Sequence, residues 1–218
     1  MRILVLSAHA DDAQLAAGGT ILRVLEDGGE VFYVGLSIAE ESVPDTFPPA
    51  SLDAEARAAC LELKMLSSNV EIMRYRVRYF PEKRQSILED FIRMRRDLGP
   101  DLVFIPSTSD IHQDHAVVAA EAVRAFRRTS SLYGYDFPWN VLQTSPLQLF
   151  VELSEIHLAQ KVRACQCFKS QLEKENNCFT EDYIRSLAVE RGNRIGSRYA
   201  EAFEVLRDVR RVGRGVLQ

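Results

Sequence analysis

No stretch of this 218-residue sequence approaches the roughly 20 consecutive apolar residues that a membrane-spanning helix requires. At the start of the chain only Ile3 to Leu6 form an apolar run, which is too short for the hydrophobic core of a secretion signal. The sequence therefore reads as a cytoplasmic protein with no membrane span. A basic surplus is missing too, since 27 Lys and Arg stand against 31 Asp and Glu. That balance argues against a general nucleic-acid partner, which leaves a basic footprint. Cysteines are few: Cys60, Cys165, Cys167 and Cys178 form no repeating framework, and a cytoplasmic chain of this size needs no disulfide staples. Cys165 and Cys167 lie in the helical pattern LAQKVRACQCFKSQL, where residues two apart face different ways, so they read as ordinary thiols. Repeats, low-complexity tracts and a Pro/Gly/Ser linker are also absent. What remains is one domain over residues 1–218, with 46% hydrophobic residues to fill its core.

The apolar pattern alternates between two periods. Arg2 to Ser7 and Val31 to Leu36 are short runs rich in Val, Leu and Ile, as strands buried on both faces would be. Between them AAGGTILRVLEDGGE has helical spacing through Ile21, Leu22 and Leu25, with Gly28 and Gly29 as the stop. The spacing then predicts a helix over Leu52 to Leu66, a strand over Val70 to Tyr75, a helix over Glu82 to Leu98 and a strand over Leu102 to Ile105. A helix from His115 to Arg127 follows, then strands at Leu132 to Tyr135 and Leu147 to Leu153, and helices over Glu155 to Glu175 and Thr180 to Arg194. Such alternation predicts an α/β, mostly parallel open sheet with helices on both faces. VPDTFPPASLD, from Val43 to Asp53, carries three prolines and reads as a loop beside a site.

In an open parallel sheet, ligands bind beyond the carboxyl ends of the strands. Two loops begin there and hold three of the four histidines. SAHADDAQLAAGGT offers His9, Asp11 and Asp12; PSTSDIHQDH offers Asp110, His112, Asp114 and His115. A catalytic metal site needs three ligands from His and carboxylate and an open position for water, with a further carboxylate to take the proton. Adjacent Asp11 and Asp12 suit that division, because neighbouring side chains in an extended loop point different ways. His112 and His115 likewise reach one cavity with two tasks, one as a ligand and the other stabilising an oxyanion. Spacing alone does not decide which is which. The plainer reading of the first loop is a capped turn in which Asp bonds helix amides. Asp110 reads as a turn residue, and His157, away from both loops, as surface or packing.

AHADDAQLAAGGT resembles the (P/A)HPDDE…GGT signature of the PIG-L/LmbE-like N-deacetylases, and DIHQDH resembles that family's HxDH motif. The likeness runs through PDLVFIPSTSDIHQDH and reaches YAEAF near the C-terminus. It implies a Rossmann-like fold and a zinc-dependent N-deacetylase with His9, Asp12 and His115 as metal ligands. Asp11 matches the general base, and His112 the histidine that stabilises the oxyanion, with Asp114 as its orienting partner. Zn2+ is the implied cofactor, and another divalent ion such as Fe2+ suits the same ligands. Two departures stand out: Ala10 replaces a proline, and Ala13 and Gln14 stand where an acidic residue is usual.

Substrate contacts are read from outlying residues. RYRVRY places Arg74, Arg76 and Arg78 on one face of a strand, suited to the phosphate of a nucleotide sugar or to a solvated edge, with Arg76 and Arg78 the candidate contacts. Trp139 and Asn140 in YDFPWN suit a sugar face. Arg191, with Arg194 and Arg198, is a candidate for the entrance, while Tyr199 and Phe203 read as packing. The expected partner is a small N-acetyl amino sugar, and a homo-oligomer is compatible with the sequence. Two rivals stand beside hydrolysis of an N-acetyl amide: a non-catalytic sugar- or metal-binding protein, and a metal hydrolase of another amide or ester.

Overall fold

The computed structural model describes residues 1–142, 146–175 and 177–210. Chain order runs β1 (Arg2–His9), α1 (Asp12–Glu26), β2 (Glu30–Ser37), α2 (Ser51–Glu62), β3 (Val70–Ile72), α3 (Phe80–Leu98) and β4 (Leu102–Pro106). It continues with α4 (Gln113–Phe126), β5 (Ser131–Tyr135), β6 (Leu147–Glu152), α5 (Glu155–Cys165), α6 (Lys169–Leu172), α7 (Glu181–Asn193) and β7 (Ala200–Arg207). The sheet has the order β3-β2-β1-β4-β5-β7-β6. β1 to β5 are parallel, whereas β7 runs antiparallel to both β5 and β6. This is a Rossmann-like α/β fold with a seven-stranded, mostly parallel sheet.

β1 lies at the centre and its side chains alternate between two cores. Ile3 and Val5 join the layer formed with α1, α2, α5 and α7, while Leu4, Leu6 and Ala8 join the layer under α3 and α4. Both faces are thus covered, which is why the strand reads as a continuous apolar run. β1 pairs with β2 on one side and β4 on the other, so the chain switches direction between β1 and β4. The carboxyl ends of these two strands carry the two histidine loops. That crevice is where ligands settle in open α/β sheets.

α1 packs unusually close to its neighbours. A Cβ on Gly19 would stand 2.5 Å from Leu153 Cδ1, and one on Gly18 would stand 3.2 Å from Lys161 Cγ. The amides of Gly19 and Thr20 donate to the Glu201 carboxylate at 2.9 and 2.7 Å, and Lys161 Nζ meets the same carboxylate at 2.6 Å. The Gly-Gly-Thr run is therefore a packing device that admits a buried ion pair against a helix.

Three expectations need correction. The predicted strand over Val70 to Tyr75 stops at Ile72, and RYRVRY forms a turn in which Arg78 has φ +70°. Alternation of Arg with Tyr and Val imitated a strand; past Ile72 the Met73 and Tyr75 amides still donate to the Gly35 and Leu36 carbonyls of β2, and the chain then turns away at Val77 and Arg78. The predicted helix over Glu155 to Glu175 breaks after Cys165, because Phe168 leaves helical geometry to bury its ring against Phe179. β7 was not expected at all. No helix among the described residues is long and apolar enough to cross a membrane.

Candidate active site

His9 ends β1, and Asp11 and Asp12 open α1. Asp11 occupies the N-cap position yet its side chain makes no capping bond, so the capped-turn reading fails for it. Asp12 reaches back instead, its Oδ2 accepting from the His9 amide at 2.8 Å. Ala10 donates its amide to the Ser37 carbonyl at 2.9 Å, a bond that a proline there would delete.

Across the crevice, His112 caps α4 and His115 lies in its first turn. His115 Nε2 is 3.2 Å from His9 Nδ1 and 3.4 Å from Asp12 Oδ2, and His9 Nδ1 is 3.7 Å from Asp12 Oδ1. Ligands about 2.0–2.1 Å from a tetrahedral ion stand about 3.3 Å from one another. The donor set therefore fits a small divalent cation. His9, His112 and His115 form a looser group, with ligand atoms within 4.8 Å of one another. Asp12 and His112 thus both stand close to the His9–His115 pair.

The far nitrogens of both imidazoles meet carboxylates. Asp110 Oδ2 lies 2.7 Å from His115 Nδ1, and its other oxygen accepts from the His112 amide at 2.8 Å. Asp110 is thus more than a turn residue, a role that the spacing Asp-x4-His could have suggested. Asp114 lies 3.2 Å from His9 Nε2 and accepts from the Arg78 amide at 2.6 Å. The sequence paired its carboxylate with His112; the geometry gives it to His9. His112 Nδ1 instead accepts from the Asp114 amide at 3.2 Å, which leaves Nε2 as the protonated nitrogen of the neutral ring.

Charge follows this arrangement. Burial opposes protonation of His9, but Asp12 and Asp114, with Asp11 behind them, outweigh it and push its pKa up to about 10. Burial also opposes ionisation of Asp12, yet His115 and His9 hold it down at about 2. Asp11 moves the other way, up to about 6, through burial and the neighbouring Asp12 charge, against the pull of His9 and Lys174. Burial and the charges of His115 and His9 lower His112. The pocket thus holds both a carboxyl whose pKa is raised and an imidazole whose pKa is lowered, a combination that proton-transfer chemistry uses.

A cleft of about 320 Å³ opens over these groups. Its walls include Arg78, Phe137, Trp139 and Asn140, and also Gln171, Lys174, Asn177 and Cys178. Burial pushes the Cys178 thiol up to about 12, so it is no ready nucleophile. Two of the expected contacts lie elsewhere. Arg76 pairs with Glu41 at 2.5 Å and stacks on Tyr79 outside the cleft. Arg191 is buried behind Trp139, bonded to Asp136 at 3.1 Å. Gln14 sits beneath the site, its amide donating to Cys60 Sγ at 3.4 Å, and takes no place among the ligand atoms. His157 completes the capping box of α5 and meets Glu26 at 2.8 Å, a structural use.

A carboxylate-backed His/Asp cluster thus stands at the switch point of a Rossmann-like α/β fold. A family model described as PIG-L: GlcNAc-PI de-N-acetylase matches residues 4–126, more than half of the 218 residues, and the chain belongs to that family. Diacetylchitobiose deacetylase of Thermococcus kodakarensis is 26% identical over 223 residues, covering 92% of this chain and 81% of the relative. Among solved structures, the N,N'-diacetylchitobiose deacetylase of Pyrococcus horikoshii, complexed with its inhibitor MPG, has a TM-score of 0.77 at 20% identity, covering 94% of this chain and 83% of its own. GalB, the 4-carboxy-2-hydroxymuconate hydratase of Pseudomonas putida KT2440, has a TM-score of 0.74 at 20% identity and 99% coverage of both chains. At such identities the likeness shows the fold, and the fold hosts more than one reaction.

Proposed function

We propose that this protein is a metal-dependent N-deacetylase acting on an N-acetyl amino sugar or sugar conjugate. The observation that carries the reading is the convergence of His9 Nδ1, Asp12 and His115 Nε2 at 3.2 to 3.7 Å beneath a cleft that also receives Asp11 and His112. His9, Asp12 and His115 would hold the ion, with Zn2+ favoured by the N2O donor set. When bound, such an ion polarises the amide carbonyl and acidifies the attacking water. Asp11 takes the water's proton, and its raised pKa suits a base that must later return a proton. His112 directs its Nε2–H at the negative charge growing on the carbonyl oxygen. Membership of the PIG-L family and likeness to the diacetylchitobiose deacetylases support acetamide as the bond and an amino sugar as its carrier.

The test is to incubate metal-loaded protein with N-acetylglucosamine, N,N'-diacetylchitobiose and nucleotide-linked N-acetyl sugars and to measure primary amine and acetate. Equal release of both from at least one sugar is expected. Full metal occupancy without amine from any of them would overturn the reading in favour of a binding protein or a hydrolase of another bond.

A further inference from the structure

The sequence treats the arginines of RYRVRY as equivalent, but the structure separates them. Arg74 meets Glu40 and Asp53, and Arg76 meets Glu41, so both are neutralised outside the cleft. Arg78 lines the cleft, and among the described residues its guanidinium donates only to a hydroxyl, Ser42 Oγ at 3.0 Å. The backbone that delivers it is held at φ +70°, a region that disfavours any residue with a Cβ. Two bonds pin it there: its amide donates to Asp114, and its carbonyl accepts from Gln113 Nε2 at 2.9 Å. A glycine would meet the same backbone demand without strain, so the turn's geometry does not explain the arginine side chain.

Lys174 lines the same cleft, from the segment after α6. Its Nζ donates to a neutral partner, Gln171 Oε1 at 2.6 Å. Among the described residues neither Arg78 nor Lys174 has a carboxylate within ion-pair distance, although ion pairs are common elsewhere on this chain. Lys174 also acts on the Asp11 carboxylate across the cleft, but from beyond ion-pair distance; two cations lining one cavity, each hydrogen-bonded to a neutral group, offer a site for a negatively charged group.

We propose that Arg78 and Lys174 form an anion subsite, and that the preferred substrate is an N-acetyl amino sugar bearing a phosphate or carboxylate. This rests on the amino-sugar reading above and narrows it. Charge-assisted contacts of this kind correspond to about a 10- to 100-fold preference over a neutral sugar. Arg78 and Lys174 serve specificity and take no part in bond breaking.

The experiment uses the full, metal-loaded chain and reads binding by calorimetry alongside turnover. The probes are N-acetylglucosamine, N-acetylglucosamine 1-phosphate and N-acetylmuramic acid, so that phosphate and carboxylate are tested apart. At least one acidic sugar should bind about 10-fold or more tightly than the neutral one, with a matching ratio in kcat/KM. Lys174→Gln and Arg78→Gly should each bring that ratio towards one. Arg78→Gly also relieves the strained φ, so a folded variant with melting temperature at or above wild type is expected. Equal binding of acidic and neutral sugars overturns the subsite while leaving deacetylation intact. An acidic preference that survives both substitutions also overturns it, since the anion would then sit on the metal. If no sugar is deacetylated, the functional reading fails and the binding ratios still decide the subsite.

Discussion

His9 and His115 each turn one ring nitrogen towards the proposed metal position and the other towards a carboxylate, Asp114 and Asp110 respectively. Such partners fix the tautomer and raise the basicity of the ligand nitrogen, and losing one typically costs 10- to 100-fold in metal affinity. Asp110→Asn and Asp114→Asn should therefore each weaken metal binding by about 10- to 100-fold in competition with a chromophoric chelator. Unchanged affinity in both variants would mean that these carboxylates do not support the ligands. Asp11 has no capping bond and stands outside the close ligand triangle. Asp11→Asn should keep one metal per chain by elemental analysis while turnover falls by about 10²- to 10⁴-fold, the usual worth of a positioned base. Metal-loaded variant with wild-type turnover would remove Asp11 from the mechanism.

At the scale of elements, α1 is the frame on which the first loop hangs, and its middle is clamped rather than its ends. Gly19→Ala would push a methyl group to 2.5 Å from Leu153 Cδ1. Overpacking of that kind should lower unfolding free energy in urea by about 1–3 kcal/mol. Lys161→Met leaves the Glu201 carboxylate buried with only backbone amides as donors. Breaking one half of a buried pair costs about 3–5 kcal/mol, and the double change with Glu201→Gln should recover part of it. The same carboxylates explain what was legible in the sequence. β1 and β4 declare themselves by apolar runs, and their loops by histidines crowded with aspartates. β7 hides because two glutamates in it are buried: Glu201 takes α1 amides and Lys161, and Glu204 takes Ser107 and Thr108. Lys174, Gln171 and Asn177 were missed for another reason. They come from a largely polar run without a motif, and only tertiary packing turns them towards the cleft. Arg191 shows the converse, an arginine whose buried partner Asp136 could not be read from spacing.

For the molecule as a whole, the proposed ligands join the two halves of the parallel sheet at its switch point. His9 and His115 are 106 residues apart in sequence, and their loops belong to β1 and β4. An unfolded chain does not hold such donors together, so the ion should bind the folded state and shift the unfolding equilibrium. At a free metal concentration of 100 times Kd the gain is about 2.7 kcal/mol. For a chain of this size that corresponds to a rise in melting temperature of about 5–10 °C. Adding Zn2+ to chelator-treated protein should produce that rise in the wild type and equally in Asp11→Asn, which keeps all three ligands. His115→Ala should lose it, whereas His112→Ala should retain it, because His112 stands outside the close His/Asp/His triangle. Equal loss of the shift in both histidine variants would instead favour the looser three-histidine group as the ligand set. Thermal melting separates the two arrangements without reference to any substrate, so the assignment of ligands can be decided before the sugar is known.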